Sequence, residues 1–141
     1  MPKSKGFTLI ELMITVAIVA ILASLVLPSY TEYIRRAKIT EATATLAGMR
    51  VKLEQYFQDN RSYALACTAG VAPQPPDTAN FQYTCPTLNA TNYLVQAAGI
   101  NSMTGFQYTI DQANVRTTVT VPTGWNGTGK TCWVIRQDGS C

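Results

Sequence analysis

Histidine is absent from this 141-residue chain, and no nucleophile stands at a readable spacing from a general base. The sequence therefore offers no catalytic constellation. Charge is scarce: 13% of residues are charged and the formal balance is +3, too small to argue for an acidic substrate or for nucleic acid. The four cysteines include no C-x-x-C knuckle, which weighs against a four-thiolate metal site. No small-residue cleavage site of the A-x-A kind follows the N-terminal apolar run, which ends in Leu27-Pro28-Ser29-Tyr30. A conventional secretory signal is thereby disfavoured. No catalytic residue, metal ligand set or cofactor site is expected.

What the chain does have is concentrated at its start. From Phe7 to Leu27 runs FTLIELMITVAIVAILASLVL, with Glu11 as its single charge. About 21 helical residues at 1.5 Å each reach about 30 Å, the thickness of a bilayer core. Lys3 and Lys5 precede this run, and flanking positive charge tends to stay in the cytoplasm. The remainder is then expected outside the cytoplasm. All four cysteines, Cys67, Cys85, Cys132 and Cys141, lie in that remainder, as disulfides would require. Three pairings are possible. Cys67–Cys85 and Cys132–Cys141 are favoured because each closes a short local loop.

Past Pro28 the apolar positions Ile39, Ala42, Leu46, Met49, Leu53 and Tyr56 follow steps of three and four, the signature of a helix with one buried face. Arg35, Arg36, Lys38, Glu41, Arg50, Lys52 and Glu54 fill the other face. One helix is expected from Phe7 to about Asp59, kinked at Pro28, where the ring removes a ladder bond and crowds the preceding turn. Residues 64–92 look like a proline-rich connector, with a short strand at Phe81–Thr84. Strands are expected at Tyr93–Ala97, Phe106–Asp111, Val115–Val121 and Thr131–Ile135. The middle two form a hairpin turning at Gln112-Ala113-Asn114. Val115, Thr117, Val119 and Val121 alternate with Arg116, Thr118 and Thr120, so the valine side is expected to be dry and the other wet. The sum is an α+β fold: a long N-terminal helix packed on an antiparallel sheet of about four strands, with a disulfide-closed C-terminal loop. Its divisions are 1–6, an apolar helix over 7–28, an amphipathic half over 29–60, a connector over 61–92, and sheet plus loop over 93–141.

Two features invite chemistry. GWNGTGKT, Gly124–Thr131, satisfies the pattern of a phosphate-cradling loop. That loop works only where a helix begins at its lysine, and the residues after Lys130 leave too little chain for a helix and a following strand. A glycine-rich turn between two strands is the expectation. Glu11 is the other feature. A lone carboxylate in lipid costs several kcal/mol unless paired or protonated. It either stays hydrated near the membrane edge or pairs with a cation from another chain. If the chain were cut after Gly6, a new amine would appear at Phe7, one helical turn away.

KGFTLIELMITVAIVAILA resembles the N-terminal signature of type IV pilins and their pseudopilin relatives. YIRRAKITEATATLAGMRVKLEQYFQDNRSY is similar to the helix that follows it, and KTCWVIRQDGSC to the cysteine-closed ending of many pilins. The resemblance implies a structural subunit of a type IV pilus. A membrane prepilin peptidase would remove residues 1–6, cutting between Gly6 and Phe7, and methylate the new amine of Phe7. Glu11 would pair with that amine in a neighbouring subunit during assembly. The implied partners are other pilins in a homo- or hetero-oligomer, the inner-membrane assembly machinery, and the membrane that holds the precursor. The head would lie outside the cytoplasm and become extracellular in the assembled pilus. Many pilins break the apolar helix with a glycine where this chain has Ala20; Pro28 is retained. Nothing here chooses among adhesion, motility and DNA uptake. Arg61, Arg116, Lys130 and Arg136 could attract DNA, but no closely spaced aromatics support such a patch. Two alternatives stand beside the pilin reading: a pseudopilin of a type II secretion system, and a singly anchored extracytoplasmic binding domain that never polymerises.

Overall fold

The computed structural model describes residues 6–68, 70 and 72–141; the expected leader residues 1–5 lie outside the described residues. Helix α1 spans Leu9–Asn60 and passes Pro28 without interruption. It ends where Arg61 takes a left-handed conformation, φ 54°, with its amide donating to Phe57 O at 2.8 Å. The chain divides into two compact units, Met1–Arg35 and Arg36–Cys141.

In the first unit, the large apolar side chains described between Phe7 and Leu27 are exposed. In the second, Ile39, Ala42, Leu46, Met49 and Leu53 are buried in a single core with the sheet. Each is a step of three or four from the last, so one helix face is dry.

The sheet is an antiparallel meander in the order β1-β2-β3-β4. Strand β1 spans Phe81–Leu88, β2 Tyr93–Gly99, β3 Gln107–Asp111 and β4 Arg116–Thr120. Opposite pairs Tyr83–Ala97, Ala97–Tyr108 and Tyr108–Thr118 set the register. Period-two alternation then puts Phe81, Tyr83, Tyr93, Val95, Ala97, Tyr108, Ile110 and Thr118 on one face, and all of them are buried. That face meets α1: Tyr93 donates its hydroxyl to Glu54 Oε1 at 3.3 Å.

Three expectations need correction. The connector contains a full strand, β1, rather than a four-residue fragment. Its prolines concealed it, yet Pro86 falls where the register shifts between Thr84 and Thr87, on an edge strand where a missing amide is tolerated. The segment Thr131–Ile135 is not a strand. Its backbone is satisfied instead by a side chain: Thr118 Oγ1 donates to Cys132 O at 2.6 Å and accepts from the Val134 amide at 2.9 Å. For the same reason β4 does not follow the expected faces: Thr118 is buried although Arg116 and Thr120 on its side of the strand are exposed, and Thr117 and Val119 on the other side are only half-buried. Thr118 is fully buried beneath the C-terminal segment, and Val115 is 41% exposed.

Candidate functional site

The N-terminal surface begins with Gly6, Phe7 and Thr8, which precede α1 and are exposed. Thr-x-x-Glu from Thr8 to Glu11 forms a reciprocal cap. The Glu11 amide donates to Thr8 Oγ1 at 3.3 Å, and the Thr8 amide donates to Glu11 Oε2 at 3.5 Å. The first free amides of a helix carry partial positive charge, so a carboxylate is favoured there. The cap places the Glu11 carboxylate over the amide of residue 8, one residue from the backbone nitrogen of Phe7. A cation brought to this point, from its own chain or another, would meet a negative group already held in position. Beyond Glu11 the helix offers apolar side chains to lipid or to other helices.

The second surface is the C-terminal loop. Cys132 and Cys141 are bridged, and the loop between them is fastened from several sides. Lys130 Nζ donates to Gly139 O at 2.7 Å, and Gln137 Nε2 donates to Gly124 O at 2.9 Å. The Asn126 amide donates to Gln137 O at 3.0 Å. Gly127 has φ +112°, and a β-carbon there would come within 2.5 Å of Val134 Cγ2; only glycine fits this turn. No helix follows Lys130, so the amides of GWNGTGKT are not organised around a phosphate, and the lysine is tied to the loop it closes.

Four cations were candidates for a DNA-attracting patch, and three of them share this region. Arg116, Lys130 and Arg136 are exposed. Lys130 and Arg136 stand close enough to Asp138 to help hold its carboxyl below the usual range, though the main cause is the Ser140 amide that donates to it at 2.8 Å. The Arg116 guanidinium lies over the Trp133 ring, 5.0 Å from its centroid, a cation–π pair. Trp133 in turn donates its indole hydrogen to Thr109 O at 3.0 Å. An aromatic is thus interleaved with the basic residues, but 17 positions along the chain (133 − 116), where spacing along the sequence could not reveal it. Arg61 is placed elsewhere, at the C-terminal end of α1.

A second bridge, Cys67–Cys85, ties the connector to the edge strand β1. The connector also reaches α1 through Tyr63, whose hydroxyl donates to Glu54 at 3.2 and 3.3 Å. Tyr63 packs between Phe57 and Tyr93 at ring-centroid distances of 4.6 and 4.9 Å. Glu54 therefore serves two tyrosines rather than the solvated face on which its sequence position placed it. Among the described residues, no group of three or more His, Cys, Asp and Glu side chains is gathered as a metal site would require.

Comparison with known proteins supplies the remaining observations. Residues 28–115 match a family described as "Type IV minor pilin ComP, DNA uptake sequence receptor", and residues 1–27 match the "Prokaryotic N-terminal methylation motif". The chain is 37% identical over 100 residues to fimbrial protein EcpC of Eikenella corrodens, covering 70% of this chain and 59% of that protein. It is 33% identical over 105 residues to the type IV major pilin protein PilA of Myxococcus xanthus, covering 70% and 48%. It is 45% identical over 74 residues to the type IV major pilin protein PilE1 of Neisseria gonorrhoeae, covering 52% and 45%. The aligned stretches thus span about half the length of these relatives. Among solved structures, the non-core minor pilin PilV of Neisseria meningitidis is similar in fold, with a TM-score of 0.54, 16% identity, and coverage of 70% of this chain and 97% of that one.

Proposed function

The chain belongs to the type IV minor pilins whose family it matches over residues 28–115, and from that premise we propose that it is a pilus subunit whose head contacts DNA. Its work is structural. The apolar helix anchors it in the membrane as a precursor and joins other pilins in the filament. The leader up to Gly6 is removed, and the amine of Phe7 is methylated, in keeping with the motif matched over residues 1–27. Glu11 then pairs with the Phe7 amine of a neighbouring subunit. Pro28, which lacks an amide hydrogen, is where α1 gives way most readily. The lysines ahead of the run keep the N-terminus cytoplasmic and the head outside.

DNA contact is supported above all by the placement of Arg116, Lys130 and Arg136 around the C-terminal loop, with Asp138 beside Lys130 and Arg136 and Asp111 bonded to the Val115 amide next to Arg116. Phosphate attraction needs such a cluster, and the guanidinium stacked on Trp133 is held ready rather than ordered at the moment of binding. These three residues lie beyond the span matched by the family, so the charge geometry is an independent argument. The test is fluorescence anisotropy of the full chain with a short duplex between about 50 and 200 mM salt. Affinity should fall steeply with salt, and Arg116→Ala or Lys130→Ala should each reduce the salt slope by about 1. Binding that ignores both salt and these substitutions would remove the DNA contact and leave the pilin assignment standing.

A further inference from the structure

Tyr30 and Tyr33 lie three residues apart on α1 and are 61% and 66% exposed. With Val26 and Ser29 they line one shallow hollow on the helix surface. Spacings of three, four and seven place all four on one side of a helix. Among the described residues of the unit Met1–Arg35 nothing covers the two rings, and neither hydroxyl has a hydrogen-bond partner among the described residues. An exposed ring pair with free hydroxyls is unexplained by the fold, and it directly continues the apolar run.

Helix geometry fixes their height. From Leu9, where α1 begins, to Leu27 the helix climbs about 27 Å, nearly the whole hydrocarbon core. Tyr30 stands about 4.5 Å above Leu27 and Tyr33 about 9 Å above it. The headgroup layer on each side is about 5–8 Å deep, from the difference between total and core thickness. Helical side chains lean back toward the N-terminus, which brings the Tyr33 ring down into the same layer. An amphipathic ring with a polar tip is the side chain that favours this layer.

We propose that Tyr30 and Tyr33 bind the headgroup layer of the membrane and fix the depth of the subunit before assembly. The rings cover the glycerol and upper acyl region, and the hydroxyls bond phosphate or ester oxygens. This rests on the reading of the apolar helix as a membrane span. Leaving the membrane for a filament would then require two aromatic anchors to be released, as well as the apolar helix.

The experiment uses the full chain in bilayers of phosphatidylethanolamine and phosphatidylglycerol. A paramagnetic label is carried either on the headgroup or at the end of the acyl chain, and NMR line broadening is read at labelled Tyr and Val side chains. Tyr30 and Tyr33 should be broadened severalfold more by the headgroup label than by the chain-end label. Val16, near the middle of the run, should show the reverse, and the head residues Tyr83 and Tyr108 should escape both. If Tyr30 and Tyr33 behave like the head tyrosines, or like Val16, the anchoring idea is overturned while the span survives. If the chain-end label leaves Val16 untouched, the span itself is wrong. The double variant Tyr30→Ala/Tyr33→Ala should blur the preference of Val16 for the chain-end label, and Tyr30→Trp/Tyr33→Trp should keep it. Identical profiles in all three chains would also overturn the proposal.

Discussion

Tyr93 on β2 donates its hydroxyl to Glu54 on α1 at 3.3 Å, and this bond joins the sheet to the long helix. The same carboxylate accepts from Tyr63. Burial, and then the charge of Glu54, push the Tyr93 hydroxyl far above its ordinary value of 10.0; Tyr63 is raised for the same reasons, and Tyr108 by burial. A folded value above the unfolded one means stability that is complete below about pH 10 and lost as pH rises through the folded values. The urea midpoint should therefore be level between about pH 7 and pH 9 and fall above pH 10. Tyr93→Phe should flatten that fall. A midpoint unchanged to about pH 11 would contradict this account.

Thr118 offers a sharper test of packing. It is fully buried, and its hydroxyl both donates to Cys132 O and accepts from the Val134 amide. Thr118→Val keeps the shape and orphans both backbone groups, so it should cost about 1–3 kcal/mol. Val115→Thr, at the exposed start of the same strand, should change stability by no more than about 0.5 kcal/mol. Chemical denaturation of the two variants decides between this arrangement and a valine-side core.

The contrast shows what the sequence could carry. The helix stripe from Ile39 to Leu53 was legible because five apolar side chains repeat at helical spacing and all are buried. Strand β4 alternates just as regularly, but alternation identifies two faces without saying which is covered. That was decided by Cys132 and Val134, whose backbone needs are met by a threonine hydroxyl. Pairing of Arg116 with Trp133, and of Glu54 with Tyr63 and Tyr93, was hidden likewise. Each joins residues distant in sequence, and only the folded register brings them together.

Asp138 should make the C-terminal loop sensitive to acid. Its carboxyl is held below the ordinary value of 3.8, chiefly by the Ser140 amide. A depressed folded value means that the contribution is present above the unfolded value and disappears as pH falls through the folded one. The Ser140 amide resonance should move on acidification in this order, tracking a midpoint below 3.8. In Asp138→Asn that transition should vanish while neutral-pH stability changes little, since the group is fully exposed. A midpoint above the ordinary value would mean that the Ser140 bond does not favour the charged form.

The cross-links should contribute comparably. Cys132–Cys141 and Cys67–Cys85 join cysteines 9 and 18 positions apart, and loops of this size are each worth about 3 kcal/mol in the chain-entropy account. Cys132→Ser/Cys141→Ser should lower the unfolding free energy by about that amount. It should leave Val134 buried, because Thr118 and Tyr108 still bind its backbone. Amide exchange at Val134 that becomes as fast as at the chain terminus would show instead that the bridge alone holds the segment.

Glu11 has two roles that one substitution pair can separate. Its side chain caps α1 by accepting from the Thr8 amide, and under the proposed assembly its charge neutralises a neighbour's Phe7 amine. Glutamine preserves the cap, since Gln serves as well as Glu at the third helical position, but it carries no charge. Alanine removes both, and loss of a cap costs only about 1 kcal/mol. If charge is what assembly uses, Glu11→Gln and Glu11→Ala should both remain in the membrane fraction and both be missing from sheared filaments. Glu11→Gln present in filaments at the level of the unmodified chain would show that the carboxylate acts through the cap. The pairing between neighbouring subunits would then be wrong.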